Sequence, residues 1–333
     1  MSAETIEWLN LNSLIGNTAK RGNAWHYREG YDNHFEGPVP LDRVKSLLNV
    51  PLAEASLTAT VLTKDGVTTI PLDDRKVIVR TDTMQAFGIF KQGYQIHGYD
   101  EWCNENLERI TGDGLQVGSA ILLRGGAVAA VQAELSETRE AAEGVKHRPW
   151  ITAATSADGS MATTYLLGTQ LWVCDNTLSL ALNESGALKV KIRHSAYSRD
   201  RVEEVKYSLG LQVEEVGDRF DEEIKRLTSE YVSDATWNAF VKAYTGVDKA
   251  KEGRSKTMAE TKVSILNRLW NRDERAAAWK NSAYGVVAAV NTAVHHEFSV
   301  KGMERAERNM LRTLEGEWDK VDGGALRLLA SVR

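Results

Sequence analysis

The spacing of apolar residues changes near residue 195, and this change constrains the fold more than any other feature of the chain. Between residues 57 and 194, apolar residues tend to recur at every second position, as in Leu57–Leu62 and Val67–Leu72 around Asp65-Gly66. A period of two is typical of strands, and Asp-Gly between two such runs predicts a hairpin. Between residues 202 and 231 the apolar residues stand three or four apart, which predicts helices.

Two more hairpins are predicted around Gly125-Gly126 and Asp158-Gly159, whereas Asp175-Asn176-Thr177 predicts the cap of a helix through Leu182. The predicted fold class is α+β, with an antiparallel β-hairpin sheet in the first ~195 residues backed by a helical C-terminal region. We predict three parts: an N-terminal arm (1–56), a β-rich α+β core (57–195), and a helical region (196–333). The last packs on the core or on a neighbouring subunit.

The composition predicts a cytoplasmic protein. Cys103 and Cys174 are far apart and follow no metal-ligand spacing, so a reducing compartment is expected. The sequence has neither a signal-peptide pattern nor an apolar run approaching the ~20 residues of a membrane helix. The net charge of −5 does not attract nucleic acid over the whole surface. Residues 187–333, however, carry 26 basic and 23 acidic residues, which permits a local basic patch.

No catalytic, metal or cofactor motif is present in the sequence. Gly112-x-Gly114-x-x-x-Gly118 follows a predicted helix and is better explained as a helix end and turn than as a dinucleotide loop. A P-loop is missing, so ATP hydrolysis through one is excluded. His295 and His296 would point about 100° apart on a helix and cannot easily share one ion. We therefore predict a protein that is not an enzyme.

The strongest candidate site is the predicted strand around Lys189, Lys191 and Arg193. These three cations share one face of the strand and repeat every ~6–7 Å, a spacing that suits the phosphates of a nucleic acid. The residues expected to support them are His194, Arg199 and Arg201. A solvated basic face on an edge strand, where lysine discourages aggregation, explains the same pattern.

A second candidate is the aromatic and basic segment Trp25, Tyr27 and Arg28 in the N-terminal arm. Aromatic rings between cations stack on bases while the cations hold phosphates. The alternative is an arm whose aromatic residues attach it to its own core or to a neighbouring subunit.

Short motifs in a fixed order resemble the phage/plasmid-like protein family, which is a domain-of-unknown-function family of phages, prophages and plasmids. They are Ala24-Trp25-His26, Arg80, Gly88-Ile89, Tyr94-Gln95-Ile96, Val173-Cys174-Asp175-Asn176-Thr177-Leu178, Ile192-Arg193-His194-Ser195, Asn291-Thr292-Ala293 and a later Arg-Ala-Glu-Arg segment. The departures are local: Ser195 replaces the usual threonine, and Asp175 replaces a small residue. The resemblance covers most of the chain.

The resemblance implies a role in DNA metabolism or host interaction, and the predicted architecture is similar to that of phage single-strand annealing proteins. We therefore predict an ATP-independent, single-stranded-DNA-binding protein of annealing type that forms a ring or filament of identical subunits. A phage exonuclease or a host protein is a further expected partner. One alternative is a host-takeover or regulatory protein that binds proteins and not DNA. The second alternative is a metal-dependent DNA-processing enzyme.

Overall fold

The computed structural model confirms the α+β class, with antiparallel sheet in the N-terminal part and helices toward the C-terminus. The structure describes residues 13–17, 33–111, 116–134, 139–142, 145–171, 177–178, 189–202, 204, 205, 207, 209, 216–273, 279–302, 305–315 and 317–333. These residues belong to two compact units, each made of several stretches of chain. The first comprises residues within 1–135, 151–166 and 188–212, and the second those within 136–150, 167–187 and 213–333. The predicted division into an arm, a core and a helical region stays a prediction.

The first unit contains most of a large sheet. Its strands are β1 (Ser13–Asn17), β2 (His34–Phe35), β6 (Gln116–Leu123), β7 (Val128–Glu134), parts of β9 (Val145–Ser156) and β10 (Thr163–Leu171), and β12 (Lys189–Ile192). The order is β2-β1-β6-β7-β9-β10, and β12 also pairs with β10. Helix α1 (Leu41–Leu48) packs on β6 through its own buried residues Val44 and Leu48. The predicted hairpin around Gly125-Gly126 is confirmed as β6 and β7.

A smaller sheet in the same unit contains β3 (Leu52–Thr63), β4 (Gly66–Arg80) and β5 (Gln85–Lys91), in that order. The predicted hairpin at Asp65-Gly66 is confirmed, because Thr63 pairs with Gly66 across a two-residue turn. At the far end of β4, the Arg80 guanidinium donates hydrogen bonds to both carboxylate oxygens of Asp82 and to the Gly125 carbonyl. Arg80 therefore connects the smaller sheet to the turn between β6 and β7.

A short helical segment precedes β6 and places aromatic rings in the core of the first unit. It consists of a π-helical turn (Glu101–Glu105) followed by α2 (Asn106–Thr111). Trp102, in the π-turn, is 2% exposed. Its carbonyl accepts a hydrogen bond of 2.7 Å from the buried Tyr165 hydroxyl on β10. The segment is therefore fixed to the large sheet by a buried polar contact, which is costly to leave unsatisfied.

The second unit is mainly helical. It contains β8 (Arg139–Ala142), the remaining residues of β9 and β10, β11 (Thr177–Leu178), α3 (Val216–Ser229), α4 (Asp234–Thr245), α5 (Arg254–Arg272), α6 (Ala283–Thr292), a π-turn (Ala293–Glu297), α7 (Arg305–Glu315) and α8 (Trp318–Ser331). Helix α6 is buried almost all round, as its small apolar residues predict. A Cβ atom added at Gly285 would lie 2.3 Å from the Trp279 carbonyl oxygen, so only glycine fits there.

The apolar stripe between residues 202 and 231 is helical and mostly buried in its described part, except at Tyr231, which forms an isolated β-bridge with Ser282 and is 71% exposed. Val205 and Leu209 in the first unit, and Ile224 and Leu227 in the second, are at most 1% exposed. The helix cap predicted at Asp175-Asn176-Thr177 is wrong for its last residue, because Thr177–Leu178 form strand β11 and pair with β10. No helix in the described ranges is long and apolar enough to span a membrane.

Candidate nucleic-acid interface

The candidate basic strand is β12, and it lies at an edge of the large sheet. It runs antiparallel to β10, with Lys191 opposite Thr164 and Val190 opposite Tyr165. Among the described strands, β10 is the only one that pairs with β12. Immediately after the strand, the Gln95 backbone N–H donates a hydrogen bond to the His194 carbonyl. The strand end is therefore held from both sides by backbone hydrogen bonds.

The two faces of β12 differ as the sequence predicts. Ile192 is fully buried and Val190 is half-buried, whereas Lys191 and Arg193, the residue directly after the strand, are exposed and Lys189 is half-buried. Within the described residues, neither Lys191 nor Arg193 takes part in an ion pair or side-chain hydrogen bond. Among the described residues, these two cations therefore have no carboxylate to exchange before binding an anion.

The exposed cations continue beyond the strand. Residues 189–201, which we call the basic segment, contain five basic residues and one acidic residue, Asp200. Arg199 lies 3.3 Å from a Glu101 carboxylate oxygen, and Arg201 lies 3.3 Å from Glu204. Exposed pairs of this kind contribute only about 0–1 kcal/mol each, so a phosphate can replace the carboxylate at little cost. Between these cations Tyr197 is 76% exposed, which the sequence analysis did not single out.

A continuous stack of five rings includes His194 of the basic segment. Successive ring centroids are 4.0 Å apart from Phe90 to Tyr94 and 4.9 Å apart from Tyr94 to His194. They are 3.9 Å apart from His194 to His97 and 3.6 Å apart from His97 to Trp102. The stack joins β5, the loop after it, the π-turn and the end of β12. Because His194 is part of the stack, the stack holds the backbone next to Arg193 in place.

Hydrogen bonds set the tautomers of the two stacked histidines. His194 Nδ1 donates to the Gln95 carbonyl at 3.1 Å, because a carbonyl can only accept. His194 Nε2 therefore accepts from the Thr155 hydroxyl at 3.3 Å. Thr155 Oγ1 is 2.7 Å from Thr163 Oγ1, and Thr163 Oγ1 is 2.6 Å from His97 Nδ1. Because the Thr155 hydroxyl donates its proton to His194, it accepts a hydrogen bond from the Thr163 hydroxyl. The Thr163 oxygen in turn accepts a hydrogen bond from His97 Nδ1–H. His97 Nε2 is buried and has no hydrogen-bond partner among the described residues.

Both stacked histidines are neutral at physiological pH. Burial lowers the pKa of His97 to about 3, with smaller contributions in the same direction from the nearby His194 and Arg199. Burial also lowers the pKa of His194 to about 4, against the opposing effect of the Gln95 carbonyl. The His194 imidazole thus carries no positive charge for a phosphate. Its ring packs in the stack and holds the backbone next to Arg193, a contact that the sequence analysis did not anticipate.

The remaining candidate residues lie elsewhere in the chain. Trp25, Tyr27 and Arg28 fall outside the described residues, so their predicted role stays a prediction. In the part of the chain that the structure describes, no group of three or more histidine, cysteine or carboxylate side chains is arranged to hold a metal ion.

The fold and the site together define an α+β protein with an exposed basic segment supported by a buried ring stack. The sequence profile of the family described as Domain of unknown function (DUF932) matches residues 86–314, and the chain belongs to this family. Searches of curated proteins and of solved structures found no match. The matched range contains the whole basic segment and ring stack, while β3 and β4 lie before it.

Proposed function

We propose that this chain is a phage or mobile-element protein that binds single-stranded DNA through the basic segment and promotes annealing without ATP. The observation that carries the proposal is the pair Lys191 and Arg193, which is exposed, without an ion-pair partner among the described residues, and fixed on a rigid strand end. Residues two apart on a strand are separated by about 6.6 Å, which suits neighbouring phosphates of an extended strand.

Annealing by such a surface needs no covalent chemistry. Cations reduce the repulsion between two phosphate backbones, while an aromatic ring such as Tyr197 holds a base by stacking. Because stacking uses the face of a base, its Watson–Crick edge stays accessible for pairing. Arg199 and Arg201 add charge once they exchange Glu101 and Glu204 for phosphates. In the proposal the protein works in the host cytoplasm as a homo-oligomer, so that several basic segments hold one strand.

Replacing Lys191 and Arg193 with alanine is expected to weaken DNA binding and to flatten its salt dependence. Each phosphate contact on a single strand contributes about −0.7 to the slope of log affinity against log salt concentration. If each of the five basic residues of the basic segment contacts one phosphate, the affinity for DNA should fall about 100-fold between ~50 and ~200 mM salt. The double variant keeps three of these residues, and its affinity should fall only about 20-fold over the same range. The measurement is fluorescence polarisation of a labelled single-stranded oligonucleotide, with duplex as competitor.

The matched control is the double variant Lys301→Ala and Arg327→Ala. These residues are also one lysine and one arginine, both exposed, and both belong to the second unit. The control should keep the affinity and salt slope of the unchanged chain. Equal slopes for the two double variants would refute the assignment of the basic segment. A chain that binds no oligonucleotide would instead favour the protein-binding alternative. Cleavage of DNA with Mg²⁺ would favour the metal-dependent enzyme.

A further inference from the structure

The outer half of the β3–β4 hairpin is exposed although it carries apolar side chains. We call residues 57–72 the outer ribbon. Every residue from 60 to 71 is exposed, and Leu62, Val67 and Ile70 are 82%, 66% and 47% exposed. Strand β5 pairs only with residues 75–80 of β4, so the outer ribbon has two strands. A two-stranded ribbon is at best marginally stable in water by itself, so this one gains from a further strand.

The register of the hairpin shows which backbone groups of β3 face outward. A two-residue turn is closed by a hydrogen-bonded pair, here Thr63 and Gly66. Hydrogen-bonded and non-hydrogen-bonded pairs alternate in an antiparallel ladder, so Ala59 and Val61 bond to β4. The N–H and C=O groups of Thr58, Thr60 and Leu62 therefore point away from β4. Within the described residues no other strand pairs with this edge.

The two edges of the outer ribbon are not equivalent. Pro71 lies opposite Thr58, at a position where a β4 residue points its backbone nitrogen outward. Because proline has no N–H, the outer edge of β4 lacks a donor there and is a poor template for another strand. Strand β3 has no proline or lysine, the residues that commonly protect edges. Its single charged residue, Glu54, is paired with Lys76. Within the part of the chain that the structure describes, the β3 edge is therefore the unpaired and unprotected one.

We propose that the β3 edge of the outer ribbon pairs antiparallel with the same edge of a second copy of this chain. A two-fold axis at Thr60 places Thr60 opposite Thr60 and Leu62 opposite Thr58. All outward-facing backbone groups of one copy then meet outward-facing groups of the other. The contact joins two ribbons into four hydrogen-bonded strands. It also places the Leu62 side chain beside the Thr58 methyl group of the second copy.

The charge distribution favours a second copy over a nucleic acid as the occupant. The outer ribbon carries only Lys64 and Asp65, so two copies meet there without net repulsion although each chain has a charge of −5. The pairing also brings Lys64, the turn residue directly after β3, near Ser56 and Glu54 of the second copy, and the Glu54 carboxylate has the opposite charge and is 47% exposed. To the phosphate backbone of a nucleic acid, the outer ribbon offers no net positive charge, because Lys64 is followed directly by Asp65.

This inference deepens the homo-oligomer part of the proposed function and does not depend on DNA binding. A two-fold contact closes at two copies, so a ring or filament requires a second contact elsewhere. The mass of the protein without nucleic acid tests the inference alone. Failure to bind an oligonucleotide leaves that mass unaffected, and a monomeric chain that binds DNA refutes the edge contact but not the basic segment.

Thr60→Pro is expected to halve the mass of the assembled protein. Proline at this position removes only an outward N–H, so the pairing of β3 with β4 is retained while the edge contact is blocked. Thr69→Pro is the matched control, because Thr69 lies opposite Thr60 and its N–H faces the other edge. Light scattering after size-exclusion chromatography should give the unchanged chain and Thr69→Pro at least twice the monomer mass of 36.9 kDa.

A second measurement uses a cysteine introduced at the two-fold axis. Cys174 is replaced by serine so that it cannot cross-link, and Cys103 is kept because it is buried. Opposed residues of a hydrogen-bonded pair have Cα atoms about 5.5 Å apart, within the ~4.4–6.8 Å range of disulfides. Thr60→Cys should therefore form a covalent dimer under mild oxidation, and Thr69→Cys should not. A monomeric unchanged chain at tens of micromolar, equal masses for the two proline variants, or equal cross-linking of the two cysteine variants would overturn the proposal.

Discussion

Replacing Trp102 with alanine is expected to lower the free energy of unfolding by about 3–5 kcal/mol, the usual cost of removing a buried tryptophan side chain. Trp102 is 2% exposed, and its ring lies nearly parallel to that of His97 at 3.6 Å. Alanine would leave a cavity at the end of the ring stack and remove the ring that covers His97. A domain is stable by only about 5–15 kcal/mol, so this loss is a large fraction of the total. Denaturant unfolding followed by circular dichroism measures it.

Two variants separate the loss of the ring stack from a general effect of removing an aromatic residue. Trp102→Phe keeps a ring against His97 and should lose clearly less stability than Trp102→Ala. Tyr197→Ala removes an aromatic side chain that is 76% exposed, and its effect should stay within about 0.5 kcal/mol. If Trp102→Ala cost no more than Tyr197→Ala, the stack would not be what holds the end of β12 in place.

The hairpins could be predicted because their signals are local. Asp65-Gly66, Gly125-Gly126 and Asp158-Gly159 each stand at or beside a turn between strands that the structure confirms. In such turns glycine adopts backbone angles that other residues rarely reach, and φ is +129° at Gly66. The start of α4 is equally local, since Ser233 accepts a hydrogen bond from the Thr236 N–H as an N-cap.

The ring stack could not be predicted, because it depends on contacts between residues that are distant in sequence. His194 meets the Gln95 carbonyl across 99 positions, and His97 meets Thr163 across 66. Read by itself, His194 after Arg193 suggests a positively charged supporting residue. Only the packing shows that its ring is enclosed and neutral.

The same limit applies to other parts of the chain. At Thr177 the pairing of β11 with β10 outweighs the local cap signal. Alternation predicts that the hairpin of β3 and β4 has one covered face, and the sequence gives no sign that residues 60–71 are exposed. Burial depends on which elements pack together, whereas the period of a strand depends only on its own residues.

Acidification is expected to destabilise the protein well above the pH at which its stacked histidines become charged. The pKa values of His97 and His194 are lowered to about 3 and about 4 by burial, from about 6.5 in the unfolded chain. Both pKa values are lower in the folded protein than in the unfolded chain. The part of the free energy of unfolding that depends on these two histidines is therefore fully present above about pH 6.5 and is lost as the pH falls toward 4 and 3. Because only the unfolded chain takes up these two protons in this range, the free energy of unfolding should change with pH by up to about 2.7 kcal/mol per pH unit.

Urea unfolding at a series of pH values measures this slope, and variants assign it to the ring stack. Burial also lowers the pKa values of His147 and His295 in the second unit, so the slope of the whole chain contains their contribution as well. His194→Gln should therefore reduce the slope by up to about 1.4 kcal/mol per pH unit between about pH 6.5 and about pH 5, whatever its effect at neutral pH. His296→Gln removes an exposed imidazole and should leave most of the slope intact. Parallel profiles for His194→Gln and the unchanged chain would mean that His194 gains its proton equally well in the folded protein. Its ring would then be open to solvent, and the end of β12 would lack the rigid support on which the proposed DNA contact depends.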